Sequence, residues 1–323
     1  MSTRQNTLEA VFRAIQTRAA RGQADDGSPY TTIKSLATQN LQNTPIPDFV
    51  SSDLFKSVTK DLTELCLLVA EEYNEHGPDH DLECEERRTF DPWLQNGFLP
   101  LFADQLTSLQ LSFNEFWGVA PGYFDGMGLL FPNLKTLTLA NLVIGHHDQC
   151  DWVLAQRNLE TLTLDSCVIV SYLSFLHENF QDKSQLDRWG IKTHDWERHP
   201  EGTWETVFDA IRNGLPNLVD FRMDNPRWTS GSHFSAAGHV GRKLTCLRYT
   251  TLDTGLLPSP WINANECTGD TESGYYDVSV PKEERPVLNR AKKTLAGDKR
   301  AFDDLVKSIE RRRSGRGLHQ LSF

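Results

Sequence analysis

Leucines and their apolar equivalents recur along the chain in the frame L-x-x-L-x-L. Seven segments fit it, starting at Ile33, Leu62, Leu106, Leu134, Leu159, Leu218 and Leu244. The clearest pair reads FPNLKTLTLANLVIG (Phe131 to Gly145) and RNLETLTLDSCVIV (Arg157 to Val170), and LPNLVDFRMDNP (Leu215 to Pro226) keeps the frame with Phe221 and Met223 substituted. The fourth template position holds Leu36, Leu65, Leu109, Leu137, Leu162, Phe221 and Leu247. The sixth holds Thr38, Leu67, Leu111, Leu139, Leu164, Met223 and Tyr249. In an extended segment alternate side chains face opposite ways, so positions four and six share a buried side while three, five and seven face out. The start-to-start spacings are 29, 44, 28, 25, 59 and 26 residues. Four of these lie in or close to the roughly 20 to 29 residues of a leucine-rich repeat, and the other two read as repeats carrying insertions.

One such unit cannot cover its own leucines, whereas a stack of parallel strands with a returning segment on one side can. The pattern therefore predicts an α/β fold, an irregular leucine-rich-repeat solenoid of about seven repeats, with parallel strands on the concave face and helices on the convex face. The returns read as helical over 145–156 and 204–213, where Trp152, Val153 and Leu154, and Val207, Phe208 and Ile211, fall at helical spacing. Gly214 is the expected stop, and Asp148 or Thr203 the expected caps. The ninth position, where Asn or Cys normally satisfies loop backbone, is Asn114 and Cys167 in only two segments, hence the irregularity. The expected organisation is an N-terminal helix and linker over 1–30, the repeats over 31–255 with insertions near 71–95 and 177–204, an irregular linker over 256–290, and an amphipathic helix with a basic tail over 291–323. In that helix Phe302, Leu305, Val306 and Ile309 share one face between Asp298 and Arg313, suited to cap the last repeat.

The order DLTELCLLVAEEYNE, LTSLQL, then FPNLKTLTLANLVIGHHDQCDWVLAQRNLETLTLDSC resembles the repeat region of filamentous-fungal F-box proteins, over roughly Leu8 to Trp228. The resemblance implies a substrate-recognition role: in that family an F-box recruits the adaptor and cullin of an SCF-type ubiquitin ligase, and the repeats are taken to select the substrate. The departure is at the recruiting module. The nearest match to an F-box, Ile46 to Val69 with Pro47, Phe49, Leu54 and Leu65, overlaps the second repeat, and reads as a strand with its connecting helix.

Charge and chemistry narrow the function further. The net charge is −11, and Lys282 to Arg316 alone carries 12 Lys/Arg against 6 Asp/Glu, which leaves about −17 on the rest. An acidic body argues against nucleic acid as the main partner, and no apolar run approaches the roughly 20 residues of a membrane span. The run Arg311, Arg312, Arg313 and Arg316 reads as a nuclear-import or nucleic-acid patch, or as the solvated, cation-rich end of a helix, which suits its dipole. Six scattered cysteines without a CxxC pair, and a polar start over Met1 to Ala20, point to reduced thiols in an intracellular compartment, cytoplasmic or nuclear. The acidic stretch Glu71 to Arg88, with His76, His80 and Cys84, matches no zinc spacing, and Gly77 and Pro78 mark it as a solvated loop. No nucleophile elbow, phosphate loop or dinucleotide fingerprint occurs, so the expectation is a non-enzyme without cofactor or metal. Two regions are candidates for binding an as yet undefined protein partner. One is the outward stripe, with Asp165, Asp220, Arg222, Asp224 and Arg248 as its charged part. The other is the Trp-rich insertion, where Trp189 and Trp196 read either as contact anchors or as rings capping the core.

Overall fold

The computed structural model describes residues 3–24, 32–70, 85–119, 122–146, 148–174, 197–198, 200–224, 244, 248–253, 261–263 and 290–317. Its strands are β1 (Ser35–Gln42), β2 (Glu64–Ala70), β3 (Ser108–Trp117), β4 (Thr136–Ile144) and β5 (Thr161–Asp165), then β6 (Val168–Ser174), β7 (Glu197–Arg198), β8 (Asp220–Asp224), β9 (Tyr249–Asp253) and β10 (Trp261–Asn263). Its helices are α1 (Thr3–Ala24), α2 (Pro47–Ser51), α3 (Asp53–Thr59), α4 (Glu85–Trp93), α5 (Asp151–Ala155), α6 (Trp204–Gly214) and α7 (Ala291–Gly315). The fold is α/β, built on one open, largely parallel sheet.

Strands β1 to β5 and then β8 lie side by side in parallel. Their register follows the aligned frame. Leu36, Leu65, Leu109, Leu137, Leu162 and Phe221 stand opposite one another in one row, and Thr38, Leu67, Leu111, Leu139, Leu164 and Met223 in the next. From β2 onward both rows are buried, joined in one apolar core with the inner faces of the helices. Each Leu of β2 to β5 in these rows stands between partners on the strands at both sides, which is why the spacing of the frame is kept while loop lengths vary.

A second arm grows from the same strands. Asn141 and Ser166 take up left-handed backbone with φ of +60° and +51°. Asn enters this region more readily than most residues, and the Asn141 Nδ2 donates to the Phe113 carbonyl at 2.6 Å. Both residues occupy the eighth template position, as does Asn40 with φ of +56°. Past these corners Val143 and Ile144 of β4 pair with Val168 and Ile169 of β6, and β9 continues this arm beside β6. Strands β10 and β7 close it in antiparallel fashion. Behind the arm Phe116, Val119, Tyr123, Val143, Val168, Val170, Leu173 and Leu252 form a separate buried cluster.

Several expectations are modified by this arrangement. The seventh segment does not extend the leucine ladder: Tyr249 stands opposite Ile169 in the second arm, not beside β8. Helix α5 covers only five residues of the expected 145–156, and Cys150, not Asp148, precedes it. At α6 the Thr203 hydroxyl does cap, accepting from the Thr206 N–H, and the helix ends at Gly214. Residues 46–69 form α2, α3 and β2, with Phe49, Phe55, Leu62, Leu65 and Leu67 in the core. The first insertion contributes core from Glu85 onward: α4 runs into a π turn and a 3-10 turn, burying Phe90, Leu94, Phe98, Leu99 and Phe102. His76, His80 and Cys84 lie outside the described residues. Helix α7 is longer than expected and packs on α6 and β8, with Phe302 against Phe208 and Phe221 at ring separations of 5.3 and 6.2 Å. Among the described residues no helix is long and apolar enough to cross a membrane.

Candidate protein-binding face

The side of the sheet opposite the helices presents positions three, five and seven of each segment. Ser108, Thr136 and Thr161 form one row, Gln110, Thr138 and Thr163 a second, and Ala140 and Asp165 continue a third, all half-exposed. Small hydroxyl and amide side chains suit this position, because strands in a sheet lie only about 4.8 Å apart. Charge appears on β2, as the exposed Glu64, and at the β5–β8 end. Thr161 faces Asp220, Thr163 faces Arg222 and Asp165 faces Asp224 across the two strands.

Asp220 and Arg222 stand together on this face, while Asp165 lies at the far end of the same strand pair, opposite Asp224. Arg222 is turned along its own strand: its Nε and Nη2 donate to the Asp220 carboxylate at 3.0 and 2.9 Å. With Asp220 18% and Arg222 39% exposed, this ion pair is a half-solvated surface feature. Of Asp224 the backbone pairing places it opposite Asp165. Trp189 and Trp196 lie outside the described residues, while Trp204 of the same insertion is fully buried at the start of α6.

Arg248 does not belong to the stripe, and this corrects the sequence reading. It is 1% exposed and its Nε donates to Asp298 of α7 at 2.8 Å. Its Nη2 donates to the Ala291 carbonyl and to Thr294 Oγ1. The Asp298 carboxylate, wholly buried, also accepts from the Glu205 N–H at 2.9 Å, from the Thr294 hydroxyl at 2.8 Å and from the Tyr249 hydroxyl at 3.0 Å. An isolated buried charge is prohibitively costly, so the guanidinium and carboxylate persist there only because each is fully surrounded by partners. Burial and the Asp298 charge push the Tyr249 phenol above its usual range.

The basic tail is also partly absorbed into the fold. Arg312 donates to the carbonyls of Arg212, Leu215 and Leu218 at 2.6, 2.7 and 3.2 Å, closing the C-terminal end of α6, where a cation is favoured. Arg316 reaches Asn217 at 2.9 Å.

Three buried glutamines, for which the sequence pattern offered no signal, organise the segment between β3 and β4. Gln95 accepts from the N–H groups of Asp125 and Gly126 at 3.0 and 2.8 Å. Gln149 accepts from Gly145 and donates to the carbonyls of Gly118, Phe124 and Val143. Gln156 accepts from Phe131 and donates to Leu129 and Trp152. Gly126 is obligatory here, with φ of +63° and space for a Cβ only 2.1 Å from Trp152. The segment so held sets Tyr123 against His146, its hydroxyl 2.7 Å from Nε2, while His146 Nδ1 meets the Asp148 carboxylate. Both ring nitrogens are thus engaged within the protein.

The thiols are similarly committed. Burial pushes Cys150 up to about 12, reinforced by the Asp151 charge, and raises Cys167, whose Sγ donates to the Leu139 carbonyl at 3.3 Å. These thiols stay protonated at neutral pH, so neither is an activated nucleophile. Among the described residues no group of three His, Cys, Asp or Glu is placed to hold a metal ion. No protein-family model matches the chain, and neither the search of curated proteins nor that of solved structures returns a match.

Proposed function

We propose that the chain is an irregular leucine-rich-repeat solenoid that works as a non-enzymatic protein-interaction module, binding its partner on the open face of the sheet. The observation that carries this reading is the six-strand register, which lines up the outward positions into rows whose β3 to β5 stretch is mainly short and polar and which end in the charged residues of β5 and β8, Asp165, Asp220 and Arg222. Rigid parallel strands present such rows to a partner at little ordering cost, since the side chains are short and the backbone is held by both neighbours. In line with the family resemblance, the module would select substrates for an SCF-type ubiquitin ligase.

Recruitment of the ligase adaptor is, in this reading, not carried by residues 46–69. Phe49 and Phe55 pack on Phe12 at ring separations of 5.0 and 5.5 Å, and Leu62, Leu65 and Leu67 belong to the sheet core. These side chains are not available to a second partner. This favours, as the second reading, a scaffold without a ligase role. Affinity purification with mass spectrometry separates the possibilities: the wild-type chain is expected to capture a partner that Thr138→Arg with Thr163→Arg loses, without the SCF adaptor in the complex. Equal capture by both would overturn the open-face reading, and a stoichiometric adaptor lost on mutating Pro47, Phe49 and Leu54 would restore a ligase receptor.

A further inference from the structure

Between the sheet and the helices lies an apolar cavity of about 220 Å³. Its floor is Leu139, Leu142, Leu162 and Leu164, and its walls come from α5 and α6. The cause is a mismatch in the returning helices: α5 is five residues long, whereas α6 has eleven, so the two leave a gap between them above the buried leucines of β4 and β5. Half-buried Leu154, Val207 and Ala210 with exposed Thr206 and Asp151 form its rim. Protein interiors are packed to crystal density with few voids larger than a water molecule, so a space of this size is exceptional in the core.

We propose that this cavity is a binding site for a neutral, apolar small molecule of roughly nine or ten carbon atoms, scaled from the ~150 Å³ apolar cavity that takes benzene. The lining chemistry selects neutrality. Among the described residues no Lys or Arg borders the cavity, and the one carboxylate at its rim, Asp151, opposes an anion. The polar groups that do border it are already used: Thr206 Oγ1 donates to the Thr203 carbonyl at 2.7 Å, and His146 is held between Tyr123 and Asp148. Cys150 and Cys167 present protonated, soft sulfur to the space rather than charge. A guest is then recognised by shape and apolar area alone, as ligand pockets dominated by apolar side chains allow. The site is on the helix side of the sheet, so it is distinct from the open face and stands whether or not that face binds a protein.

The test uses the full chain with naphthalene as the neutral probe and octanoate as the anionic one. Naphthalene at ten times its Kd is expected to raise the melting temperature by about 3 °C in a saturable manner, while octanoate leaves it unchanged. Ala210→Phe, which fills the space from α6, is expected to abolish the naphthalene response, and Val207→Phe at the rim serves the same purpose should the first variant fail to fold. Absence of a saturable shift with the wild-type chain, an equal shift with octanoate, or an undiminished shift in the folded filled variant each overturns the assignment.

Discussion

Rings close both ends of the leucine ladder, but only one end adds a buried ion pair to them. Beside β1 the core is sealed by rings: Phe12 of α1, Phe49, Phe55, Phe98 and Phe102 pack edge-on or stacked at centroid separations between 5.0 and 6.1 Å. Beside β8 and β9 the rings of Phe208, Phe221 and Phe302 are joined by a buried ion pair, with the single carboxylate of Asp298 tying together the first turn of α6, the start of β9 and helix α7. The difference teaches how each end tolerates change. Aromatic packing is graded, because dispersion is the sum of many small contacts and neighbouring rings can shift to fill a gap. A buried hydrogen-bonded charge is close to all-or-none, since removing one partner strands the others.

The largest effect is expected from breaking the charged end. Asp298→Ala leaves Arg248, Tyr249, Thr294 and the Glu205 N–H without their acceptor, and should cost about 3 to 5 kcal/mol in urea unfolding. Phe12→Ala at the other end should cost about 3 kcal/mol, because the single helix carrying it can move to collapse the gap. The sharper comparison is by double replacement. Arg248→Met with Asp298→Leu should recover only the part of the loss due to the stranded Arg248 charge, because the Glu205 N–H and the Tyr249 and Thr294 hydroxyls still lack that acceptor. A double variant as unstable as Asp298→Ala alone would show that the carboxylate acts through the α6 and α7 backbone and not through the pair.

The ends should also part in alkali. Cys150 is held up to about 12, and Cys167 and Tyr249 are raised above their unfolded values of 9.0 and 10.0. A raised pKa in the folded state means that stability is fully present below the unfolded pKa and is lost as pH climbs toward the folded one. Above pH 9 the unfolded chain therefore sheds protons that the folded chain retains. Toward the β1 end, among the described residues, the only resolved shift of this kind is at Cys66. Hydrogen exchange between pH 8 and 11 should show α5, β6 and β9 opening before α2, α3 and β2, and Cys150→Ala with Cys167→Ala should reduce the difference. Earlier opening at the phenylalanine end would refute it.

What the sequence disclosed and what it hid divide along the same line. The ladder was legible because local alternation carries it: Leu137 and Leu162 share a template position and stand opposite each other in β4 and β5. Asp165, Asp220 and Arg222 followed from the same register. The corner at the eighth position was present in the residues, as Asn40, Asn141 and Ser166, but only the backbone conformation shows that it turns the chain into a second arm. Arg248 was misplaced because Leu244 to Tyr249 mimics the frame, while the residue that decides its burial, Asp298, is 50 positions away and leaves no local trace. The same holds for Gln95, Gln149 and Gln156, whose partners lie in a loop reached from other segments.

The smallest stability effect is expected on the open face, and there the contrast is between adjacent residues rather than between ends. Thr163 is half-exposed and fully outward, while Leu162 beside it is 0% exposed in the core. Leu162→Ala should cost about 2 to 5 kcal/mol through lost transfer energy and the cavity left behind. Thr163→Ala removes one hydroxyl from a solvated row, and should stay within about 0.5 kcal/mol, the usual range for surface positions. Thermal and urea unfolding of the two variants measures the ratio directly. A cost at Thr163 approaching that at Leu162 would mean that this face is covered in the folded chain, and with that the open rows would lose their claim as a binding surface. A near-silent Thr163→Ala leaves the row free to be read by a partner, so the same substitution can then be carried into binding measurements without a folding defect confusing the result.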